Sequence, residues 1–263
     1  MTSRLDALTL PPEDSLLSTV DGLRPRDVDF LKRVYNTPLT TYRERFRHLG
    51  FVDMDRVLDA GCGFGQWTLA LSPETEVVGL DTTPQRVRTA SYIADHNEVP
   101  NRDFCVGDIS TLPFESNSFD GIFSYSVVYF ADLERVAEEW YRVLRPGGRA
   151  YLCTNGVGKY LHDIVHNPNP SADFSPRRFA VQTLLNTMRG RTEELSMETG
   201  ACAMRPSRVR RTLAAAGFEE IRLAGEGELS ERPDGDPHSF YDGTYLGLPR
   251  VFEAMVTKPR DDR

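Results

Sequence analysis

Several marks of common protein classes are missing from this chain. Its four cysteines, Cys62, Cys105, Cys153 and Cys202, lie far apart with no C-x-x-C pair. Neither a disulfide framework nor a cysteine zinc site is suggested, and reduced thiols fit best. No apolar run approaches the roughly 20 residues that span a bilayer. Met1 to Val20 carries Asp6, Pro11, Pro12, Glu13 and Asp14 and has no uninterrupted apolar core, so no secretory signal is read there. Positive charge is in the minority, with 31 Lys and Arg against 39 Asp and Glu and a formal net charge of -8. That balance disfavours wholesale nucleic-acid binding. The expectation is a cytoplasmic protein without a membrane span, a monomer or homodimer, whose partner is a small molecule and not a nucleic acid.

The 263 residues, 40% hydrophobic and 27% charged, suffice for one α/β domain with insertions. Residues 1 to about 24 read as a loose arm. Val28, Leu31 and Tyr35, then Tyr42, Phe46 and Leu49, space out two short helices between Pro25 and Gly50. Apolar strands then alternate with helical stretches. Strands are expected at Arg56–Asp59, Glu76–Asp81, Arg102–Val106, Phe119–Tyr125 and Arg149–Thr154. Helices are expected from Phe64 to Leu71, after Thr83-Pro84, and from Asp132 through Leu133, Val136, Ala137, Trp140 and Leu144 to Pro146-Gly147-Gly148. This order predicts parallel βαβ units with helices on both faces of the sheet. Residues 155–206 break the alternation and are too long for a connecting loop. They read as a cap insertion with a helix from Ser175-Pro176 to Arg189. A helix capped by Ser207, a strand from Phe218 to Leu223, a polar segment over 224–238 and a last strand at Val251–Lys258 complete the chain. Residues 1–50 are read as a flanking arm and helices, and 51–263 as the main domain.

The first strand runs into Asp59-Ala60-Gly61-Cys62-Gly63-Phe64-Gly65. Glycines between a strand and a helix let the backbone turn tightly and let a ligand lie against it. A dinucleotide turn carries a glycine at the sixth place of G-x-G-x-x-G, where this chain has Gln66. Asp59 beside the glycines would repel a pyrophosphate and attract a cation. S-adenosylmethionine, with a sulfonium and an ammonium, suits such a turn. Asp81, with Thr82 after it, ends the second strand, where a carboxylate accepts hydrogen bonds from ribose hydroxyls. Asp108 ends the third strand. It can take the adenine amino group while Ile109 offers its amide, or it can cap the next turn.

These strings, VLDAGCGFG, VVGLD with TPQRV, CVGDISTLPFESNSFDGIFS and VAEEWYRVLRPGGRAYL, resemble the class I S-adenosylmethionine-dependent methyltransferases. The likeness is nearest to the small-molecule branch with the ubiquinone and menaquinone biosynthesis enzymes, and it covers Val57 to Asn155. It implies a Rossmann-like, mostly parallel seven-stranded sheet whose last strand is antiparallel. It implies that Asp59, Gly61, Gly63 and Gly65 line the methionine part, that Asp81 and Thr82 serve the ribose and Asp108 and Ile109 the adenine, and that Ser124 and Tyr125 border the sulfonium. The cofactor implied is S-adenosyl-L-methionine, leaving as S-adenosyl-L-homocysteine, with no metal. The N/D-P-P-Y/F string of amide- and adenine-methylating enzymes is absent after the fourth strand, where Ser124-Tyr125-Ser126-Val127 stands. The cytosine-type Pro-Cys nucleophile is absent there too.

The methyl donor is already activated, so such a protein mainly aligns the acceptor, and a general base helps when the acceptor is a hydroxyl or a protonated amine. The candidates are His162 and His166, four apart in the insertion, and Tyr129 near the fourth-strand exit. His48 and His96 read as surface residues. Lys159, Arg177, Arg178, Arg189, Arg191, Arg205, Arg208, Arg210 and Arg211 in or near the insertion hint at an anionic acceptor. The leading expectation is methyl transfer to an oxygen or nitrogen of a small metabolite such as a natural product, sugar or quinone. A non-catalytic cofactor-binding protein, an RNA or protein methyltransferase and, last, a nicotinamide-dependent oxidoreductase are the alternatives.

Overall fold

Short β-branched and aromatic runs form the strands, and each helix that crosses between them turns one apolar stripe to the sheet. The computed structural model describes residues 8–12, 14–16, 22–191, 195–232 and 237–260. Its strands are β1 (Arg56–Ala60), β2 (Glu76–Asp81), β3 (Arg102–Val106), β4 (Phe119–Tyr125), β5 (Leu144–Asn155), β6 (Glu219–Gly225), β7 (Thr244–Tyr245), β8 (Leu248–Pro249) and β9 (Val251–Thr257). The helices are α1 (Pro25–Tyr35), α2 (Leu39–Leu49), α3 (Gln66–Leu71), α4 (Pro84–His96), α5 (Leu133–Val143), α6 (Val157–His166), α7 (Pro176–Arg189) and α8 (Pro206–Ala215). A seven-stranded sheet runs β3-β2-β1-β4-β5-β9-β6, and β7 and β8 form a separate hairpin. Strands β1 to β5 pair in parallel, and β9 lies antiparallel between β5 and β6. This is the Rossmann-like architecture expected from the sequence.

Two apolar layers sandwich the sheet. On one face Leu58, Leu80, Ile122 and Leu152 meet Val136 and Trp140 of α5 and Val209 and Leu213 of α8. On the other, Val57, Val77, Phe123 and Tyr151 meet Phe46 of α2, Trp67 of α3 and Ile93 of α4. The order reverses between β1 and β4, and ligands in open α/β sheets bind at such a switch point, beyond the carboxyl ends of the strands. Ala60, Asp81, Tyr125, Asn155 and Gly225 all end strands on that side.

Several boundaries differ from the sequence expectation for local reasons. Helix α5 stops at Val143, and Pro146-Gly147-Gly148 falls inside β5. Helix α8 takes Pro206 as its first residue with Arg205 as N-cap, so Ser207 does not cap it. Proline's fixed φ suits that first position. The described part of the N-terminal arm is docked, not loose. Thr9 N donates to Asn97 Oδ1 at 3.0 Å, Asn97 Nδ2 returns a bond to Thr9 O at 3.0 Å, and Leu16 is buried. The rest of the arm lies outside the described residues. His48 is also not a surface residue: it is buried on α2, with Nδ1 2.9 Å from Ser230 Oγ. Among the described residues, no helix is long and apolar enough to cross a membrane.

Candidate functional site

Three glycines shape the turn after β1, each differently. Gly61 has φ +89°, and a Cβ there would sit 2.3 Å from Val127 Cγ2, so the β4 exit presses directly on the backbone. Gly65 has φ +81°, and its Cβ would meet Ala90 and Phe104 at 3.0–3.1 Å, which is close helix-to-strand packing. Gly63 differs: φ is +55°, and a Cβ would have no atom within 4 Å. Gly61 N and Cys62 N donate to Leu80 O at 2.7 and 2.9 Å, tying the turn to the end of β2. The turn therefore keeps its own shape and leaves room beside Gly63.

Two buried carboxylates flank that room. Asp59 accepts from Thr68 Oγ1 at 2.7 Å and pairs with no Lys or Arg among the described residues. Burial raises its pKa to about 7, with neighbouring Asp81 adding to the rise. Asp81 accepts from Gly63 N at 3.1 Å through Oδ2 and from Thr83 N at 2.9 Å through Oδ1. It too has no cationic side-chain partner among the described residues. Thr82 beside it is exposed. Two unpaired buried acids around an open glycine turn fit a ligand with positive charge and hydroxyl donors, as S-adenosylmethionine has.

The remaining predicted cofactor residues divide. Asp108 is exposed, and its Oδ1 accepts from Ser110 N at 2.7 Å, the local cap foreseen as its alternative role. The side chain of Ile109 belongs to the apolar core. Ser124 is fully buried and donates its hydroxyl to Ala60 O at 2.8 Å, which joins β4 to β1. Tyr125 extends beyond it, with its hydroxyl 3.1 Å from Glu226 Oε1 and its ring 4.9 Å from that of Trp67. Ser126 follows with φ +62°, a left-handed conformation that costs a non-glycine residue and that concentrates at functional sites.

The catalytic candidates come together only in part. His162 and His166 share one face of α6, with ring centroids 4.5 Å apart. His162 Nδ1 lies 3.3 Å from Asp163 Oδ1 and Nε2 3.3 Å from Arg250 Nη2, while His166 Nε2 is 3.1 Å from Tyr245 Oη. Tyr129 is buried, and burial holds its hydroxyl protonated well above the usual phenol range. The basic cluster expected of the cap disperses. Arg208 pairs with Glu134 at 2.9 Å, Arg210 donates to Ile221 O and Arg177 to Ile164 O, so these arginines serve packing contacts.

Other site residues gave no sequence signal. The polar segment after β6 folds back along α2 and carries Glu226, Phe240 and Tyr241. Arg45 of α2, Glu253 of β9 and Tyr151 of β5 form a buried network beneath it, in which Arg45 pairs with Glu253 and Tyr151 donates to Glu253 Oε2 at 2.7 Å. Phe240 alternates with no period that would mark it as core, and an arginine at full burial contradicts its ordinary preference.

The fold is Rossmann-like, and its glycine turn is anionic where a dinucleotide site would receive phosphate. Residues 57–148 match the methyltransferase domain family. The chain is 40% identical over 122 residues to the uncharacterised methyltransferase YcgJ of Bacillus subtilis, covering 45% of this chain and 48% of that one. It is 30% identical over 218 residues to the sterol 24-C-methyltransferase erg6 of Aspergillus fumigatus, covering 81% and 50%. The chain thus spans about half the length of these curated relatives. In fold it resembles the geranyl diphosphate C-methyltransferase of Streptomyces coelicolor, with a TM-score of 0.59, 15% identity, and 94% and 88% of the two chains covered.

Proposed function

We propose that the protein transfers a methyl group from S-adenosylmethionine to an oxygen or nitrogen of a small-molecule acceptor. The observation that carries this reading is the pair of unpaired buried carboxylates, Asp59 and Asp81, around the open turn at Gly63. The cofactor supplies a methyl group already activated on sulfur, which the acceptor displaces in line. The chain's own residues hold the ligand, exclude water and align the acceptor. Asp81 takes the ribose hydroxyls, the backbone at Gly61 and Gly63 takes the methionine part, and Asp108 and Ile109 border the adenine. For an acceptor that must lose a proton, the base comes from the pair His162 and His166 on α6. Tyr129, held protonated, is a hydrogen-bond donor and not a base.

A carbon acceptor is the second reading. The wall of Tyr42, Trp67, Tyr125 and Phe240 rings supports it, because electron-rich faces stabilise positive charge on a reacting carbon. Two of the proteins that this chain resembles carry C-methyltransferase names.

Turnover with S-adenosylmethionine against a panel of phenols, amines and prenylated acceptors tests both. The expected outcome is acceptor-dependent formation of S-adenosylhomocysteine, with mass spectrometry placing the methyl group. Cofactor binding without turnover on any acceptor favours the non-catalytic alternative.

A further inference from the structure

Glu226 stands immediately after β6 and is only 2% exposed. Its Oε2 accepts from Ser239 Oγ at 2.9 Å, Phe240 N at 2.7 Å and Tyr241 N at 3.1 Å. Its Oε1 accepts from the Tyr125 hydroxyl at 3.1 Å and lies 3.5 Å from Arg45 Nη2. A carboxylate buried this deeply is sustained when its oxygens are fully engaged. One side chain thereby ties the returning segment over 239–241 to the exit of β4 and to α2.

That tie sets the direction of two neighbouring rings. Phe240 packs into the aromatic wall, stacked on Tyr42 with centroids 5.4 Å apart and edge-on to Trp67 and Tyr125. The backbone of Tyr241 is held through its N–H, which goes to Glu226 Oε2, and its carbonyl lies 2.7 Å from Ser239 Oγ. Tyr241 as a residue is nevertheless 41% exposed. Burial raises the pKa of the Tyr241 phenol above its usual value, and the nearby Glu226 carboxylate adds to the rise. Tyr241 therefore stands beside the β4 exit, tied there through Glu226 and next to the ring of Phe240 in the aromatic wall, and is partly open to solvent.

We propose that Tyr241 is an acceptor-contacting residue and that Glu226 is the positioning residue that sets it against Tyr125, so that the site receives an acceptor with a planar aromatic body. The assignment rests on the methyltransferase reading. A ring fixed through its backbone presents an aromatic face at little entropic cost. Offset or edge-on contact with a second ring then adds to the burial of area.

The test is calorimetric titration of 2-naphthol, a flat phenol, into protein saturated with S-adenosylhomocysteine. Wild-type protein should bind it. Tyr241→Ala should weaken binding by about 10-fold, the loss of one stacked ring, and Tyr241→Phe should restore it. Glu226→Gln should weaken 2-naphthol binding and, by hydrogen exchange, expose the amides of Phe240 and Tyr241. S-adenosylhomocysteine affinity should stay unchanged in all three variants. Absence of 2-naphthol binding, or equal affinity in Tyr241→Ala with cofactor-product binding intact, overturns the proposal. Failure of the wild-type protein to bind S-adenosylhomocysteine strikes the methyltransferase reading itself.

Discussion

Asp59 is the residue at which charge and burial meet most directly. Its carboxyl sits at about pKa 7 against an ordinary 3.8 because burial disfavours the anion. The sign follows. A carboxyl whose folded-state value is raised favours the protonated native state, so its contribution to stability declines as pH rises from about 4 to about 7. A cationic ligand reverses that preference by stabilising the anion. Cofactor binding near pH 6 should then release a proton and tighten as pH rises toward 7. Titration calorimetry at about pH 6 in buffers of different ionisation enthalpy reads this directly. The wild-type protein should show a buffer-dependent heat that Asp59→Asn abolishes, and a heat independent of buffer in both would contradict the assignment. Asp59 was legible in the sequence because a strand end followed by glycines leaves few roles for an acid. Gln66 was equally informative, since it removes the sixth-place glycine of a dinucleotide turn.

Among the elements, α2 is pinned by a charge that its sequence does not advertise. Arg45 is fully buried between Glu253 of β9 and Glu226, and also donates to Tyr151 Oη at 3.1 Å. Removing one member of such a group leaves an uncompensated buried charge, so Arg45→Met should cost about 3–5 kcal/mol. Urea denaturation checks this, and the double variant Arg45→Met, Glu253→Met should recover much of the loss. An unchanged midpoint for the single variant would show that α2 is held by packing alone. The strands and α5 were readable because their periodicity is strong and local: Leu133, Val136, Ala137 and Trp140 all face the core as their spacing predicts. The segment after β6 was not. Its Gly, Asp, Pro and Ser content signals turns, yet Glu226 and Phe240 are fixed by long-range partners on α2 and β4 that no window of sequence contains.

On the scale of the whole molecule, α1 lies across the glycine turn, and Asp173 and Glu198 pair with its start. Tyr35 donates to Phe64 O at 2.7 Å, the Phe30 and Phe64 rings are 5.9 Å apart, and Arg86 of α4 pairs with Asp27 at 3.0 Å. At the start of α1, Arg24 pairs with Glu198 at 2.8 Å, Arg26 pairs with the same carboxylate, and Arg26 N donates to Asp173 Oδ1 at 3.1 Å. The hydrogen bond from Arg26 holds Glu198 at about pKa 2, so it is ionised at any ordinary pH. Ion pairs this exposed are worth about 0.2–1 kcal/mol and are screened by salt. Glu198→Gln should therefore speed release of S-adenosylhomocysteine about threefold at low ionic strength and leave it unchanged at about 1 M salt. Stopped-flow displacement measures both, and equal rates at low salt would show that the contact does not gate the site.

The central claim concerns the ligand at the turn, and titration of S-adenosylmethionine into the wild-type protein, Gly63→Ala and Asp81→Ala tests it most directly. The wild-type protein should bind one equivalent. Gly63→Ala should fold with a modest loss of stability, since its added methyl meets no atom within 4 Å but φ is +55°, and should bind weakly because that methyl stands in the space proposed for the cofactor. Asp81→Ala should lose about 100-fold in affinity, the worth of one or two hydrogen bonds to a charged group. No binding to the wild-type protein at millimolar ligand, or equal affinity in all three, would contradict the account.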